Sequence, residues 1–163
     1  MDRSELSELI LGDLDAVLEK TRAAYLERMP RLRKLSPDSV DETMQATRRA
    51  MQHFVHYFVA GTLDAASWQA VRDATIDRAG EVYSHGEILE IMNIARAMGT
   101  EALHNLADRH PELSPAELAR ATTALDRYIA EMAETEDRLR QLVTPESLDQ
   151  VLAALEADGA DLE

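Results

Sequence analysis

The chain has 163 residues, and 45% of them are hydrophobic, so it can bury the core of one domain and is not a disordered polyelectrolyte. Its 31 acidic residues outnumber its 17 basic ones, and the formal charge of −14 disfavours contact with nucleic acid or anionic lipid. With no cysteine, no apolar run near the ~18 residues of a membrane span and no signal-peptide core, the sequence predicts a cytoplasmic domain without disulfides or Cys-based zinc sites.

Two helices are predicted in the first part of the chain. The first begins near Ser4, carries apolar residues at helical spacing, and ends or kinks at Pro30, because proline cannot continue the hydrogen-bond ladder. The second begins at Ser36-Pro37, where a side-chain cap precedes a proline at the first helical position. It runs to about Ala60, and Gly61 is its expected stop.

The middle of the chain contains two further predicted helices. One follows Thr62, which can cap it, and places Trp68 toward the core. The other is the central stretch from Ser84 to Leu106, which is apolar in nearly every direction, a pattern typical of a helix buried among other helices. We expect it to be the most buried helix of the fold and to stop before Pro111.

The longest predicted helix runs from Pro115 to Val143 and starts with a capping box, because Ser114 precedes Glu117 by three residues. Its apolar residues alternate four and three apart, the spacing of a coiled-coil seam, although Thr122 and Glu136 interrupt it. Packing of this face inside one chain and pairing with a second chain explain the pattern equally well. In the second case the homodimer interface contains Leu118, Leu125, Ile129, Met132 and Leu139.

These elements predict an all-α fold of about five to six helices, packed as an orthogonal bundle, with a long C-terminal helix. We expect residues 1–143 to form one helical domain. Residues 144–163 should form a short helix and a tail.

Glu90, Asn93 and Arg96 form the narrow polar strip of the central stretch, and polar groups on a buried helix must find partners. One hypothesis is structural: Arg96 pairs with Glu90 or with another helix. The other is that the strip fixes the polar end of a small ligand, while methionines supply an adaptable apolar wall. The predicted ligand pocket consists of Glu90, Met92, Asn93, Arg96, Met98 and Trp68.

Candidate cofactor ligands are few. His53 and His56 are weak candidates for haem ligation, because on a helical projection both lie far from the buried face around Met51. Glu101 and His104 have the spacing of half a di-iron site, but the motif has no second copy. The sequence also lacks a nucleophile elbow and a phosphate-binding loop. We therefore expect no catalytic residue, no metal and no cofactor, with haem as the alternative.

Several segments resemble those of one family. The segment from Gly86 to Gly99 looks like one in the family, in which a glycine, a leucine and a pair of hydrophobic residues precede a second glycine within the helix. Met29-Pro30-Arg31-Leu32 is similar to the segment that ends the family's first helix. Ser36-Pro37-Asp38 matches its next helix start, and Phe58 to Gly61 its break before helix three. The family is the helical N-terminal sensory domain of PucR/CdaR-type transcriptional regulators and RsbR-type stressosome proteins. The resemblance extends from about Leu9 to Leu142.

This resemblance implies a globin-like fold without haem, as the alternative to the orthogonal bundle, and a regulatory, non-catalytic role. It also implies that residues 1–143 are a sensory domain and that residues 144–163 lead toward a missing output domain. We expect a dimeric sensory domain of a bacterial signalling or transcription-regulating protein, which passes a signal through its C-terminal helix. The expected partners are a second copy of the chain and an output domain or a partner signalling protein. Two alternatives stay open: a globin-like sensor of haem or a small ligand, and a purely structural dimerisation adaptor.

Overall fold

The computed structural model describes residues 1–62, residues 83–142 and the isolated positions Gln69, Gln150, Ala153 and Ala157. Within these residues the chain forms five α-helices and no strand, which confirms the predicted all-α class. The helices are α1 (Arg3–Gly12), α2 (Leu14–Arg28), α3 (Pro37–Ala60), α4 (His85–Arg109) and α5 (Pro115–Leu142), with a short 3₁₀ helix at Leu32–Lys34.

Three predicted helix boundaries are confirmed. Ser36 caps α3, since its side chain accepts a hydrogen bond from the Ser39 backbone N–H at 3.2 Å. Gly61 ends that helix in the left-handed region at φ 80°, a conformation that costs glycine least. Ser114 and Glu117 form the expected reciprocal capping box at the start of α5. Local sequence signals therefore position these helix ends.

The prediction of one helix from Ser4 to Pro30 was wrong, because the chain breaks at Asp13 into α1 and α2. Asp13 has φ −91° and ψ −3° and makes no side-chain cap on α2. Its carboxylate instead pairs with the Arg109 guanidinium at the end of α4. Helix α1 is capped by Asp2 rather than by Ser4, in a capping box with Glu5. The predicted helix after Thr62, with Trp68, lies outside the described residues, as does most of the stretch 144–163.

The described helices bury two clusters of side chains. Helix α4 packs most extensively on α5 and next on α2, whereas α1 packs mainly on α3. The first cluster comprises the buried residues Leu6, Phe54, Tyr57, Phe58, Leu103, Leu106, Leu113, Ala121, Leu125 and Tyr128. The second cluster comprises Ala24, Tyr25, Met29, Leu32, Val40, Tyr83 and Ile94.

Helix α4 is less buried than predicted. It buries only Ile94, Leu103 and Leu106, and most of its other apolar side chains are half-buried. Helix α3 is more deeply buried among the described elements, with Val40, Thr43, Thr47, Phe54, Val55, Tyr57 and Phe58. Because α4 contacts α2 and α5 along adjoining faces, its remaining face stays accessible and carries the polar strip.

Candidate functional site

The predicted polar strip lies on the exposed side of α4. Glu90, Asn93 and Arg96 are all exposed, and the Arg96 guanidinium lies 3.5 Å from the Asp126 carboxylate on α5. Met92 and Met98 are half-buried, and Met98 packs against the second cluster. Trp68 lies outside the described residues. None of these side chains lines the cavity described next, so the ligand pocket around the strip stays a prediction.

An apolar cavity of about 80 Å³, partly open to solvent, lies between the five described helices and receives side chains from all of them. Five of its lining residues belong to α4, and three of these are small residues on one face: Ala95, Gly99 and Ala102. A Cβ atom added at Gly99 would lie 2.9 Å from Cδ2 of Leu125, so glycine allows α4 and α5 to approach closely there. The small residues of α4 and the bulky residues of α5 thus meet at this void.

The cavity lining offers almost no unsatisfied polar group. The Tyr128 hydroxyl donates to the Ala50 carbonyl oxygen at 2.6 Å, and burial raises the pKa of Tyr128. Asp13 lies at the rim, where its carboxylate pairs with Arg109. The remaining lining residues are apolar, for example Met51, Phe54 and Leu106. An apolar lining of this kind favours an apolar guest over water.

The cavity adjoins a surface groove of about 430 Å³ between α2 and α4, with which it shares Asp13, Val17 and Ala102. Two ion pairs cross the groove. Arg109 binds Asp13 through two guanidinium nitrogens, one of them at 3.3 Å. The Lys20 ammonium lies 3.6 Å from the Glu101 carboxylate. Charged side chains therefore flank the path from solvent to the cavity.

A second connection joins the start of α4 to the last turns of α5. Nδ1 of His85 lies 2.6 Å from Oε2 of Glu136, and Nε2 of His85 lies 3.5 Å from Asp137. Glu136 is only 3% exposed. In the sequence Glu136 interrupts the apolar seam of α5, and the structure explains this residue as the buried partner of His85. A carboxylate at a core position of a helix was the available signal, since such a group requires a partner.

The predicted dimer seam packs inside the chain over most of its length. Leu125 is buried in the first cluster. Leu118, Ile129 and Met132 are partly buried against the same cluster, and the side chain of Leu139 lies outside the described residues. Much of this face therefore packs inside the chain, and its contact with a second chain stays a prediction.

The predicted haem and metal candidates do not come together. His56 is exposed and His53 is half-buried, and neither lines the apolar cavity. Glu101 pairs with Lys20. Within the described ranges, no group of three or more His, Cys, Asp or Glu side chains could hold a metal ion. In the same part of the chain, no helix has both the length and the hydropathy to cross a membrane.

Comparison with known proteins gives one family. The profile described as "RsbT co-antagonist protein rsbRD N-terminal domain" matches residues 15–135, which is most of the chain. A search of curated proteins and a search of solved structures found no significant match. The matched range begins at the start of α2 and contains α3, α4 and most of α5. The chain therefore belongs to the RsbRD N-terminal domain family, the N-terminal domains of stressosome-type regulatory proteins.

Proposed function

We propose that this domain is a non-catalytic regulatory module in which α4 passes a signal to α5, and α5 passes it to an output domain or a partner signalling protein. Family membership supports the regulatory role, because the family is described as that of an RsbT co-antagonist. The structural observation that carries the proposal is the pairing of α4 with α5 from the cavity to the last turns of α5.

The contacts between α4 and α5 follow in antiparallel order. Gly99 faces Leu125, Arg96 pairs with Asp126, and His85 meets Glu136. A displacement of α4 therefore acts on α5 at several points, including the turns next to its C-terminal end. Packed helices respond to small perturbations by shifts of about 1–2 Å, which suffice to reposition whatever the end of α5 contacts.

Removal of the His85 contact tests this transmission. We expect His85→Ala to accelerate amide hydrogen exchange in the last described turns of α5, because the contact that joins Glu136 to the start of α4 would be absent. His56→Ala, at an exposed position of α3, is the matched control and should leave exchange in α5 unchanged. Unchanged exchange in the His85→Ala variant would contradict the transmission route.

We also propose that the domain acts as a homodimer, with α5 at the contact. Because the seam of α5 is largely occupied inside the chain, the contact must involve the exposed face of the helix. That face contains the small residues Ala116, Ala119, Thr123 and Ala130 between charged ones. Small residues permit close approach of a second helix, and a two-fold contact of α5 would set two output domains side by side.

Sedimentation tests the dimer. We expect a dimer at tens of micromolar in ordinary salt, with association strengthened by added salt, since each chain carries a charge of −14. Ala130→Arg on the exposed face of α5 should give a monomer, whereas Ala97→Arg on the exposed face of α4 should not. A monomeric native chain would refute dimerisation but would leave the transmission from α4 to α5 to its own test.

A further inference from the structure

We propose that the apolar cavity binds a small uncharged apolar molecule of a few heavy atoms. The cavity lies within the domain core, between the small residues Ala95, Gly99 and Ala102 of α4 and the bulky residues Leu125 and Ile129 of α5. It differs from the predicted pocket around the polar strip, with which it shares no residue.

The volume sets the size of the guest. The cavity measures about 80 Å³. A water molecule occupies about 30 Å³ in the liquid, and a dry protein cavity of about 150 Å³ accepts benzene. The guest is therefore smaller than benzene.

The lining sets the polarity of the guest. Water needs two to four polar partners in a buried site, yet the Tyr128 hydroxyl is already engaged with the Ala50 carbonyl. The Asp13 carboxylate at the rim is engaged with Arg109. An apolar guest loses no hydrogen bond on leaving water and gains dispersion contacts with side chains that otherwise border a void.

The groove between α2 and α4 provides the path to the cavity. Val17 and Ala102 line both spaces, so a change of the Val17 rotamer opens a connection. The ion pairs Asp13–Arg109 and Lys20–Glu101 hold α4 to its neighbours at this mouth. Small guests can pass these exposed side chains, whereas large ones would have to break the pairs.

Occupancy also bears on signalling, and this part rests on the proposed transmission from α4 to α5. The cavity borders both Gly99 and Leu125, which face each other across α4 and α5. A guest would add contacts between the helices and thereby favour one relative position of α4 and α5. A ligand shifts such an equilibrium only if it binds one of the two positions better, and it would do so because a movement of α4 against α5 changes the shape of the cavity.

Xenon is the probe for binding. We expect xenon to shift, in a saturable manner, the methyl resonances of Leu103, Leu106 and Ile129 in the native protein. Leu32 and Val40, in the second cluster, are the internal control and should not respond. Equal responses in both clusters would mean non-specific solvation and would overturn the site.

Filling the cavity tests its location. Ala102→Met should abolish the xenon response, whereas Ala97→Met, at an exposed position of the same helix, should retain it. Should Ala102→Met fail to fold, Ala95→Val introduces a smaller side chain into the same cavity and should weaken the response. A full response in a folded cavity-filled variant would overturn the proposal.

Size and signalling have separate readouts. Benzene should shift no resonance in the native protein but should bind the Leu106→Ala variant, whose cavity is larger; benzene binding to the native protein at the same site would overturn the size limit. Xenon binding that slows hydrogen exchange at the end of α5 supports a signalling role. If xenon binds but does not slow this exchange, the site is supported and its link to signalling is overturned. If xenon does not bind, the site is overturned, while the tests of the proposed function are unaffected.

Discussion

The first cluster surrounds a cavity, whereas the second closes around hydrogen-bonded side chains. In the second cluster the Tyr25 hydroxyl meets Thr47 at 3.2 Å, and the Tyr83 hydroxyl meets Thr43 at 2.7 Å. Thr47 already donates to the Thr43 carbonyl, so Tyr25 is the donor in its pair. Directional bonds of this kind in a buried setting specify one arrangement of the helices.

The first cluster lacks such directional control at the contact of α4 with α5. Leu103, Leu106 and Leu125 pack there through apolar contacts alone, and the void leaves them space to rearrange. Apolar packing is non-directional and accepts alternative arrangements more readily than a hydrogen-bonded network does. The domain is therefore more adaptable where the apolar residues of the first cluster lie between α4 and α5, and more fixed where α2 meets α3.

The largest expected effect comes from core truncations on α4, where the two clusters can be compared on one helix. Ile94 is 1% exposed in the second cluster, and Leu106 is 2% exposed at the cavity. Truncation of such a residue to alanine costs about 2–5 kcal/mol, and the cost is highest where neighbouring atoms surround the removed group on every side. We expect the loss in the free energy of unfolding, measured with urea, to lie near the top of this range for Ile94→Ala and near the bottom for Leu106→Ala. Equal costs would mean that the void does not weaken packing around Leu106.

Alkaline pH provides the next test, because both clusters contain a buried tyrosine. Burial raises the pKa of Tyr25 from 10.0 to about 12 and also raises the pKa of Tyr128. A raised pKa in the folded state means that the stability contribution is complete below pH 10 and is lost as the pH rises toward 12. For Tyr25 this loss is on the order of 2–3 kcal/mol.

Unfolding free energies measured from neutral pH upward check this prediction. Stability should fall above pH 10, and Tyr25→Phe should make the fall shallower, because phenylalanine cannot ionise. An alkaline profile that Tyr25→Phe does not change would show that the pKa of Tyr25 is the same in the folded and unfolded states.

At neutral pH, substitution of the same two tyrosines tests one hydrogen bond in each cluster separately. Tyr25→Phe removes the bond to Thr47, and Tyr128→Phe removes the bond to the Ala50 carbonyl. Each substitution should cost about 1 kcal/mol, since a typical buried hydrogen bond contributes about 0.5–1.5 kcal/mol. We expect Tyr25→Phe also to broaden the methyl resonances of the second cluster, because the directional constraint is gone. Broadening confined to the first cluster would reverse the assignment of the fixed and adaptable regions.

The sequence predicts those parts of the fold that depend on neighbouring residues. The caps at Ser36 and Ser114 and the stop at Gly61 need only a few adjacent positions, and the structure has all three. The break at Asp13 could not be predicted in this way. It is accompanied by an ion pair with Arg109, which is 96 positions away in the sequence.

The candidate site depends still more on tertiary packing. Glu136 was visible as an interruption of the seam, but its partner His85 is known only once α4 and α5 are placed together. The cavity has no sequence motif, because a void is the space that several helices leave between them. Its one local sign is the set of small residues at Ala95, Gly99 and Ala102, which share a helix face. The periodicity shows that this face is apolar but not that it borders an empty volume.

A smaller effect is expected from Gly99→Ala, which probes the adaptable contact directly. Alanine stabilises a helix interior by up to about 1 kcal/mol relative to glycine, but its Cβ would lie 2.9 Å from Cδ2 of Leu125. Leu125 borders the cavity and can move into it, so the usual cost of overpacking, about 1–3 kcal/mol, should be largely relieved. We expect a net change below about 1 kcal/mol.

Gly86→Ala is the matched control for this substitution on α4, because the nearest atom to its added Cβ is Oγ of Ser84 at 4.0 Å. Unfolding measurements should place the two variants close together, and xenon should no longer shift the methyl resonances of the Gly99→Ala protein. A large loss of stability in Gly99→Ala alone would show that Leu125 is rigidly held and that the contact is not adaptable.

The smallest effect concerns the capping boxes, one at the start of each helix of the α4–α5 pair. Backbone N–H donation from Ser84 and from Ser114 lowers the pKa of Glu87 and of Glu117 below 4.5. A lowered pKa in the folded state means that the contribution is present above pH 4.5 and is lost as the pH falls further. In the Glu87→Gln and Glu117→Gln variants, the free energy of unfolding should fall slightly less steeply as the pH is lowered. Glu19→Gln, at an exposed position of α2, should not have this effect. Each glutamate also pairs with a distant cation, Glu87 with Arg31 and Glu117 with the N-terminal ammonium, so the two variants should behave alike in acid unfolding. An unequal response would mean that the difference between the two clusters extends to the helix ends and is not confined to the core.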